Sequence, residues 1–186
     1  GVGKDYTATG IMESRTGRHV LTLEDNDRNP EEHGMIAVRC FREYNNPLVG
    51  WERAKEGGYV YALGREGYTR TYEHPLDQTL AARQAGRPPT SRQGYPMTEA
   101  SKLALINHVA IKVEKHTISS PSERVWGQMA NYIINRDNKT EARAGHHDDL
   151  VYMIAGCAWM CEQPGAKSMR DDGRFVPAPT LRYGGR

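Results

Sequence analysis

The first part of the chain alternates apolar and polar side chains in the way that β-strands do. Residues 6–12 are rich in strand-forming residue types, and residues 18–23 alternate with a period of two. Between them, residues 14–17 (Ser-Arg-Thr-Gly) have the composition of a tight turn. The chain is therefore predicted to open with a β-hairpin.

Helical and strand patterns then alternate. A helix is predicted over residues 31–44, capped by Asp27 or Asn29, and a short buried strand over residues 48–52. A second helix is predicted to end at Arg65, and a further strand to cover residues 68–72. This alternation predicts an α/β fold in which a central mixed sheet is flanked by helices.

The middle of the chain changes character. Residues 74–97 are rich in proline and glycine and predict a long irregular excursion. A helix is predicted over residues 99–116, and its apolar face is expected to comprise four residues: Leu103, Ile106, Ala110 and Val113. The sequence Ser120-Pro-Ser-Glu123 predicts the start of another helix, with Ser120 as its N-cap.

The last regular element is predicted to be a buried helix. Residues 135–145 are polar and predict a loop, whereas residues 150–161 are apolar on nearly every side. Beyond Gln163 no periodicity remains, so residues 163–186 are predicted to be a flexible basic tail. Residues 1–162 are expected to form one domain.

Composition excludes several classes of protein. The chain has 186 residues, of which 26% are charged and 38% hydrophobic, as expected of a folded domain. The longest nearly apolar run has 12 residues, and a membrane-spanning helix needs about 20. No secretory signal is expected at Gly1. Three cysteines are too few for a disulfide scaffold and favour a reducing compartment.

Positive charge is local rather than global. The net charge is only +2, yet residues 81–95 contain Arg83, Arg87 and Arg92 and no acidic residue. The segment 167–186 adds five basic residues against two acidic ones. Such segments are typical of contact with a polyanion at one face, although solvated loops would have the same composition.

Four carboxylates stand beside apolar elements, where a charge is costly. Glu52 ends a predicted strand, Asp148 and Asp149 begin the most apolar helix, and Asp5 precedes the first strand. Carboxylates brought together at a sheet edge favour Mg²⁺ or Mn²⁺, and two such ions can support phosphodiester hydrolysis. Alternatively, Asp148 and Asp149 could cap the helix, and Glu52 and Asp5 could be ordinary surface residues.

The order of these residues resembles a known family. Four motifs carry the resemblance: Gly1-Val-Gly-Lys-Asp-Tyr-Thr-Ala-Thr-Gly-Ile11, Leu48-Val-Gly-Trp-Glu52 followed by Gly57 and Gly67-Tyr68, Gly94-Tyr-Pro-Met-Thr98 followed by Ser101-Lys102, and Gly145-His-His-Asp-Asp149. Together they resemble the nuclease domain of the large terminase subunit of tailed bacteriophages, a ribonuclease H-like fold. The resemblance extends from Gly1 to about Cys161.

The resemblance implies a site and a substrate. Glu52 would be the second metal-binding carboxylate and Asp149 the third, within about 8 Å of each other as a two-ion site requires. Asp148 would be a neighbouring ligand and Asp5 an accessory one, around two Mg²⁺ or Mn²⁺ ions. The substrate would be concatemeric double-stranded DNA, cut without strong sequence preference and held through its phosphates. Four residues are candidates for that DNA contact: Arg83, Arg87, Arg92 and Lys102.

The same resemblance implies partners and a location. The partners would be the terminase ATPase domain, the small terminase subunit and the portal, and the location would be the cytoplasm of the bacterial host, with no membrane association. The family's first catalytic aspartate lies upstream of the glycine-rich loop at which this sequence begins, and Ala54 replaces a common polar residue. A non-catalytic DNA-binding or docking module therefore remains an alternative, as does a junction resolvase of the same fold.

Two other kinds of site are disfavoured. Zinc would need His146, His147, Cys157 and Cys161 around one ion, but a single rigid helix cannot wrap all four in tetrahedral geometry. Gly1-Val-Gly-Lys4 lacks the full spacing of a nucleotide-binding phosphate loop.

Overall fold

A computed structural model describes residues 7–53, 57–75, 91–134, 140–163 and 166. Within these ranges the helices are α1 (Pro30–Glu43), α2 (Gly57–Arg65), α3 (Glu99–Glu114), α4 (Glu123–Ala130) and α5 (Asp149–Met160). The strands are β1 (Thr7–Glu13), β2 (Arg18–Asp25), β3 (Glu73–Pro75), β4 (Ser91–Gln93), β5 (Tyr132–Ile134) and β6 (Thr140–Ala142). The described part of the chain is thus a mixed α/β structure.

The predicted opening hairpin is confirmed. Strands β1 and β2 pair antiparallel from Thr7↔Asp25 to Glu13↔Arg18, with a bulge after Ile11. The turn uses Gly17 at a φ of 70°, which favours glycine. A side chain there would also collide with the backbone carbonyl of Thr117.

Both faces of β1 are covered by helices. On one face Ala8 and Met12 pack with the α5 cluster, and Gly10 lies directly against Met153. On the other face Ile11 joins a cluster built largely on α1 and α2, and the Thr9 hydroxyl is hydrogen-bonded to the buried His33 of α1 at 2.9 Å. The alternation of side chains along β1 therefore places it between two helical layers.

Helix α1 starts where the sequence indicates. Asn29 caps it by accepting from the N–H of Glu32, whose side chain accepts in return from the N–H of Asn29. Pro30 occupies the first turn, where its missing N–H has no cost. Val38 and Phe41 face the core, in contact with Val49, Leu63 and Tyr68.

The two strands predicted after α1 are reduced to single bridges. Val49 pairs parallel with Thr71, and Glu52 pairs parallel with Tyr95. The chain at residues 68–72 was expected to be a strand, but regular pairing begins only at Glu73, in β3. The two predicted strands therefore lie side by side, joined by hydrogen bonds from the Val49 N–H to the Arg70 carbonyl and from the Tyr72 N–H to the Val49 carbonyl, but their regular pairing is limited to this bridge.

Two hairpins replace predicted irregular segments. Strand β3 pairs with β4, which places regular structure inside the stretch 74–97 that was predicted to be irregular. Strand β5 pairs with β6, and β6 lies inside the predicted loop 135–145. Residues 76–90 and 135–139 lie outside the described residues, as does the predicted flexible tail beyond residue 166.

The start of α4 differs from the prediction by two residues. The N-cap is Ser122, whose hydroxyl accepts from the N–H of Val125, rather than Ser120. The Ser120 hydroxyl instead accepts from the N–H of Ser122 and is hydrogen-bonded to the buried His19. Ser120 therefore links the segment that precedes α4 to His19 of β2.

Helix α5 is the buried element that the sequence predicts. Six of its residues are buried: Leu150, Val151, Met153, Ile154, Ala155 and Ala158. They pack against β1, α3 and α4. The predicted inner face of α3 is correct in part, because Ile106 and Val113 pack against this cluster. Leu103 and Ala110 are exposed instead, and Leu105 and Val109 are the buried residues of the helix.

The sheet is less extensive than predicted. Within the described ranges the named strands form three two-stranded antiparallel sheets, and the parallel pairing consists of isolated bridges. The α/β class with flanking helices is confirmed, and a continuous ribonuclease H-like mixed sheet stays a prediction.

Candidate metal and nucleic-acid site

The start of α5 is capped by a neighbouring helix rather than by its own acidic residues. Asp148 is the N-cap position, but its side chain makes no capping hydrogen bond. The N–H of Leu150 donates instead to the side-chain oxygen of Gln128 in α4, at 2.8 Å. The capping role that the sequence left open for Asp148 is therefore filled by Gln128.

Asp149 points into a polar surface beside β2. Its carboxylate is mostly covered, with 18% of the side chain exposed, and one oxygen lies 3.9 Å from Nδ1 of His147. It also interacts electrostatically with Glu24, near the end of β2. The start of α5 thus brings a second carboxylate and an imidazole to Asp149.

Glu24 is a residue that the sequence analysis missed. Only 7% of its side chain is exposed, and Arg124 of α4 holds both of its oxygens at 2.9 and 3.0 Å. Burial raises the pKa of Glu24 above its ordinary value, the Arg124 charge lowers this pKa, and the Asp149 charge raises it again. Glu24 follows Leu23 directly, so an acidic residue next to an apolar strand position was the available signal.

Asp148 faces different surroundings. Its charge adds to the effect of burial in raising the pKa of Tyr132, the first residue of β5. The Tyr132 hydroxyl is hydrogen-bonded to that of Tyr152, and the Lys102 ammonium lies 5.8 Å from the centre of the Tyr152 ring. Asp148 thus interacts electrostatically with Tyr132, whereas Asp149 interacts with His147 and Glu24.

Glu52 is half-buried at its bridge to Tyr95. The N–H of Tyr95 donates to the carbonyl of Trp51 at 2.8 Å, and Tyr95 packs on Trp159, their ring centres 5.8 Å apart. Trp159 lies near the end of α5, ten residues or about 15 Å of helix from Asp149. The segment around Glu52 thus contacts α5, through Tyr95, near the end of the helix that is opposite to Asp149. Proximity of Glu52 to Asp149 stays a prediction.

The predicted DNA-contacting residues are only partly described. Arg83 and Arg87 lie outside the described residues, as does Asp5, which was predicted to be a metal ligand. Arg92 is exposed on β4. Lys102 is half-buried on α3, with its ammonium 3.7 Å from Glu99. Lys102 approaches the site through Tyr152, on the Asp148 side.

Few carboxylate oxygens, the ligands that Mg²⁺ prefers, lie near the start of α5 among the described residues. Within the described ranges, no three His, Cys, Asp or Glu side chains converge in a way that could hold a metal ion. Asp149 interacts electrostatically with Glu24, and Asp148 precedes Asp149 in the chain. One or two carboxylates are the protein ligands with which Mg²⁺ is often held together with phosphate oxygens.

The two cysteines of α5 do not supply an alternative metal site. Burial raises the pKa of the Cys157 thiol to about 12 and that of Cys161 to about 11. Thiols with raised pKa values remain protonated and are poor ligands, because zinc binds the thiolate. Cys157 packs as an apolar group with the α5 cluster, and the Cys161 thiol donates a weak hydrogen bond to the Met12 carbonyl at 4.0 Å.

Comparison with known proteins establishes a fold likeness. No protein-family model matches the chain, and no curated protein matches it either. The crystal structure of the large terminase nuclease from thermophilic phage G20c is similar, with a TM-score of 0.62 and 16% identity over 83% of this chain and 75% of that chain.

The same phage nuclease with bound magnesium gives a TM-score of 0.62 at 17% identity, covering 86% of this chain and 76% of that chain. Its structure with bound cobalt gives 0.59 at 15% identity, covering 83% and 80% respectively. The resemblance to large terminase nucleases predicted from the sequence is confirmed at the level of structure. None of the helices in the described ranges has the length and apolar character to span a bilayer.

Proposed function

We propose that the chain is a metal-dependent endonuclease of a viral DNA-packaging terminase, which cuts concatemeric double-stranded DNA by two-metal-ion phosphodiester hydrolysis. The observation that carries this proposal is the fold likeness to the large terminase nuclease over most of the chain. Independently, the start of α5 collects Asp149, Glu24 and His147 at one surface. A nuclease role is thus supported both by fold and by local chemistry.

The proposed metal ligands are Glu52, Asp148, Asp149 and Asp5. Asp149 is the strongest of them, because its carboxylate is fixed beside His147 and shares a buried surface with Glu24. Glu24 is already paired with Arg124, so Asp149 is the carboxylate at this surface that we propose to bind the ion, and carboxylate oxygens are the donors that Mg²⁺ and Mn²⁺ prefer. The donor set therefore fits Mg²⁺ or Mn²⁺, the ions proposed as cofactors.

When bound, Mg²⁺ or Mn²⁺ would activate water and stabilise the leaving oxygen of the phosphodiester. The protein's own contribution is to hold the carboxylates in place. Gln128 fixes the start of α5, and Arg124 fixes Glu24 through two charge-assisted hydrogen bonds. Arg83, Arg87, Arg92 and Lys102 are proposed to grip DNA phosphates.

The proposed partners are double-stranded DNA, the terminase ATPase domain, the small terminase subunit and the portal. The proposed location is the cytoplasm of the bacterial host. These assignments follow from the likeness to a phage terminase nuclease and from the predicted basic segments. They would be tested by co-purification with the ATPase domain.

Cleavage of supercoiled plasmid in the presence of Mn²⁺ tests the catalytic proposal. Wild type is expected to convert plasmid to nicked and linear forms, and both Asp149→Ala and Glu52→Ala to abolish the conversion. Glu43→Ala, which removes an exposed carboxylate at the end of α1, is the matched control and should cut normally. DNA retention without cutting at any metal concentration would support the non-catalytic docking module instead. A strong preference for branched DNA would favour a junction resolvase.

A further inference from the structure

An open groove of about 300 Å³ lies between α4 and the segment that leads into α5. Its walls include one guanidinium, two side-chain amides and two imidazoles, from Arg124, Gln128, Asn131, His146 and His147. Among the described residues, the remaining lining positions are Gly127 and Gly145. The side chains of this concave surface supply N–H donors from which an anion can accept hydrogen bonds.

Arg124 can donate hydrogen bonds to an anion in the groove while it remains paired with Glu24. Two of its guanidinium nitrogens bind the Glu24 carboxylate, yet 66% of the side chain is exposed. A guanidinium has five N–H donors in a planar fork, so further donors remain for an anion on its open side. Glu24 fixes the orientation of the fork and thereby preorganises it.

The orientation of the Gln128 side-chain amide is fixed by its hydrogen bond to α5. Because its oxygen accepts from the N–H of Leu150, the NH₂ group is the end left to donate. The exposed ring of His146 adds a further polar group. Donors from α4 and from the α5 approach therefore meet around one space.

His147 connects the groove to the candidate metal site. Its ring lines the groove and lies 3.9 Å from the Asp149 carboxylate. An anion in the groove would consequently sit beside Asp149, at the positive end of the α5 dipole. This is where a nuclease has to place a backbone phosphate relative to its carboxylates.

We propose that this groove binds a phosphate of the DNA backbone and so positions the strand next to Asp149. The identity of the polyanion rests on the proposed nuclease function, whereas the groove's affinity for phosphate rests on its own side chains. Arg92 and Lys102 are not among the described residues that line the groove, and the proposal adds Arg124 and His146 to the proposed DNA-contacting residues.

Binding of a short labelled DNA duplex in EDTA, followed by fluorescence anisotropy, tests the groove without cleavage. Arg124→Gln is expected to weaken binding about ten-fold and to lower the slope of log affinity against log salt by about 1. Arg42→Gln is the matched control, because Arg42 also loses an ion pair, to Glu66, outside the groove. It should bind DNA as wild type does.

A second variant, His146→Glu, tests the groove independently in case Arg124→Gln does not fold. His146→Glu places a negative charge at an exposed position of the groove and should weaken duplex binding without loss of thermal stability. His116→Glu makes the same change at an exposed histidine outside the groove and should have little effect. Unaltered duplex binding by both groove variants, with plasmid still cut, would overturn the groove and leave the nuclease proposal standing.

Amide chemical shifts separate the sources of phosphate. In ¹⁵N-labelled protein, both inorganic phosphate and the duplex should shift the amides of Gly127 and Gly145, which line the groove. Shifts with the duplex but no plasmid cutting under any metal would support the groove and refute the nuclease. Shifts with inorganic phosphate alone would show that the groove takes a small phosphate compound, which contradicts the DNA assignment.

Discussion

The side-chain oxygen of Gln128 accepts a hydrogen bond of 2.8 Å from the backbone N–H of Leu150, in the first turn of α5. The Asp148 side chain, at the N-cap position of the same helix, makes no such bond. One of the unpaired N–H groups at the start of α5 is therefore satisfied from α4. The acidic side chains of that turn are left to interact with Tyr132, His147 and Glu24.

Truncating Gln128 should consequently cost more stability than truncating Asp148. Gln128→Ala is expected to lower the free energy of unfolding by about 1 kcal/mol, the usual cost of losing a helix cap. Asp148→Ala should change it by roughly half that amount or less, since no capping bond is lost. Urea denaturation followed by circular dichroism measures both. A larger loss for Asp148→Ala would show that Asp148 is the true cap.

Two glycines should respond to alanine in opposite directions. Gly10 of β1 lies against Met153, and an added methyl would overlap the sulfur of that residue and approach Cys157 at 3.2 Å. Gly10→Ala should therefore destabilise the protein by about 1–3 kcal/mol through overpacking. Gly156, within α5, has open space around the new methyl, so Gly156→Ala should stabilise by about 1 kcal/mol. Thermal unfolding of both variants compares the signs.

Local patterns predicted the elements that depend on near neighbours. The β1–β2 hairpin follows from alternation and a glycine turn, and α1 follows from Asn29, Pro30 and Glu32. The inner face of α3 was predicted correctly for Ile106 and Val113 but not for Leu103 and Ala110, because apolar residues occur all around that helix. Leu105 and Val109 are buried only because α5 lies on that side.

In the candidate site, too, local patterns identified some residues, whereas contacts between distant parts of the chain could not be predicted. Asp148 and Asp149 were identifiable because acidic residues precede an apolar helix. The approach of Glu24 to Asp149 required knowledge that α5 packs along β1, with Arg124 above the end of β2. Pairing across a hundred residues or more leaves no local pattern, so the approach of Glu24 to Asp149 and the groove beside Arg124 could not be predicted.

Two buried histidines should make stability depend on pH. Burial lowers the pKa values of both His19 and His33 below the ordinary histidine range. The unfolded chain then binds more protons than the folded one as pH falls below about 6.5, so stability should fall between about pH 7 and pH 5. At higher pH this contribution is fully present.

Replacing one of these histidines tests the origin of the slope. His33→Gln keeps a hydrogen-bonding group for Thr9 but cannot titrate, so its free energy of unfolding should depend less on pH over this range. His116→Gln removes an exposed histidine and should leave the slope as in the wild type. Denaturation midpoints at several pH values give the comparison, and parallel slopes for all three proteins would contradict the assignment to His33.

Metal binding in the absence of DNA should be weak. Asp148 and Asp149 face different groups, and Glu24 is already engaged by Arg124, so few carboxylate oxygens are free to share one ion. Sites with few protein ligands rely on substrate phosphate to complete the coordination shell. Calorimetric titration with Mn²⁺ is expected to detect at most one site, of roughly millimolar affinity. Asp149→Asn should abolish it, whereas Arg124→Gln, which releases Glu24, should retain or strengthen it. Two tight sites in the DNA-free protein would show instead that Asp5, Glu52 or Asp148 completes the cluster without substrate.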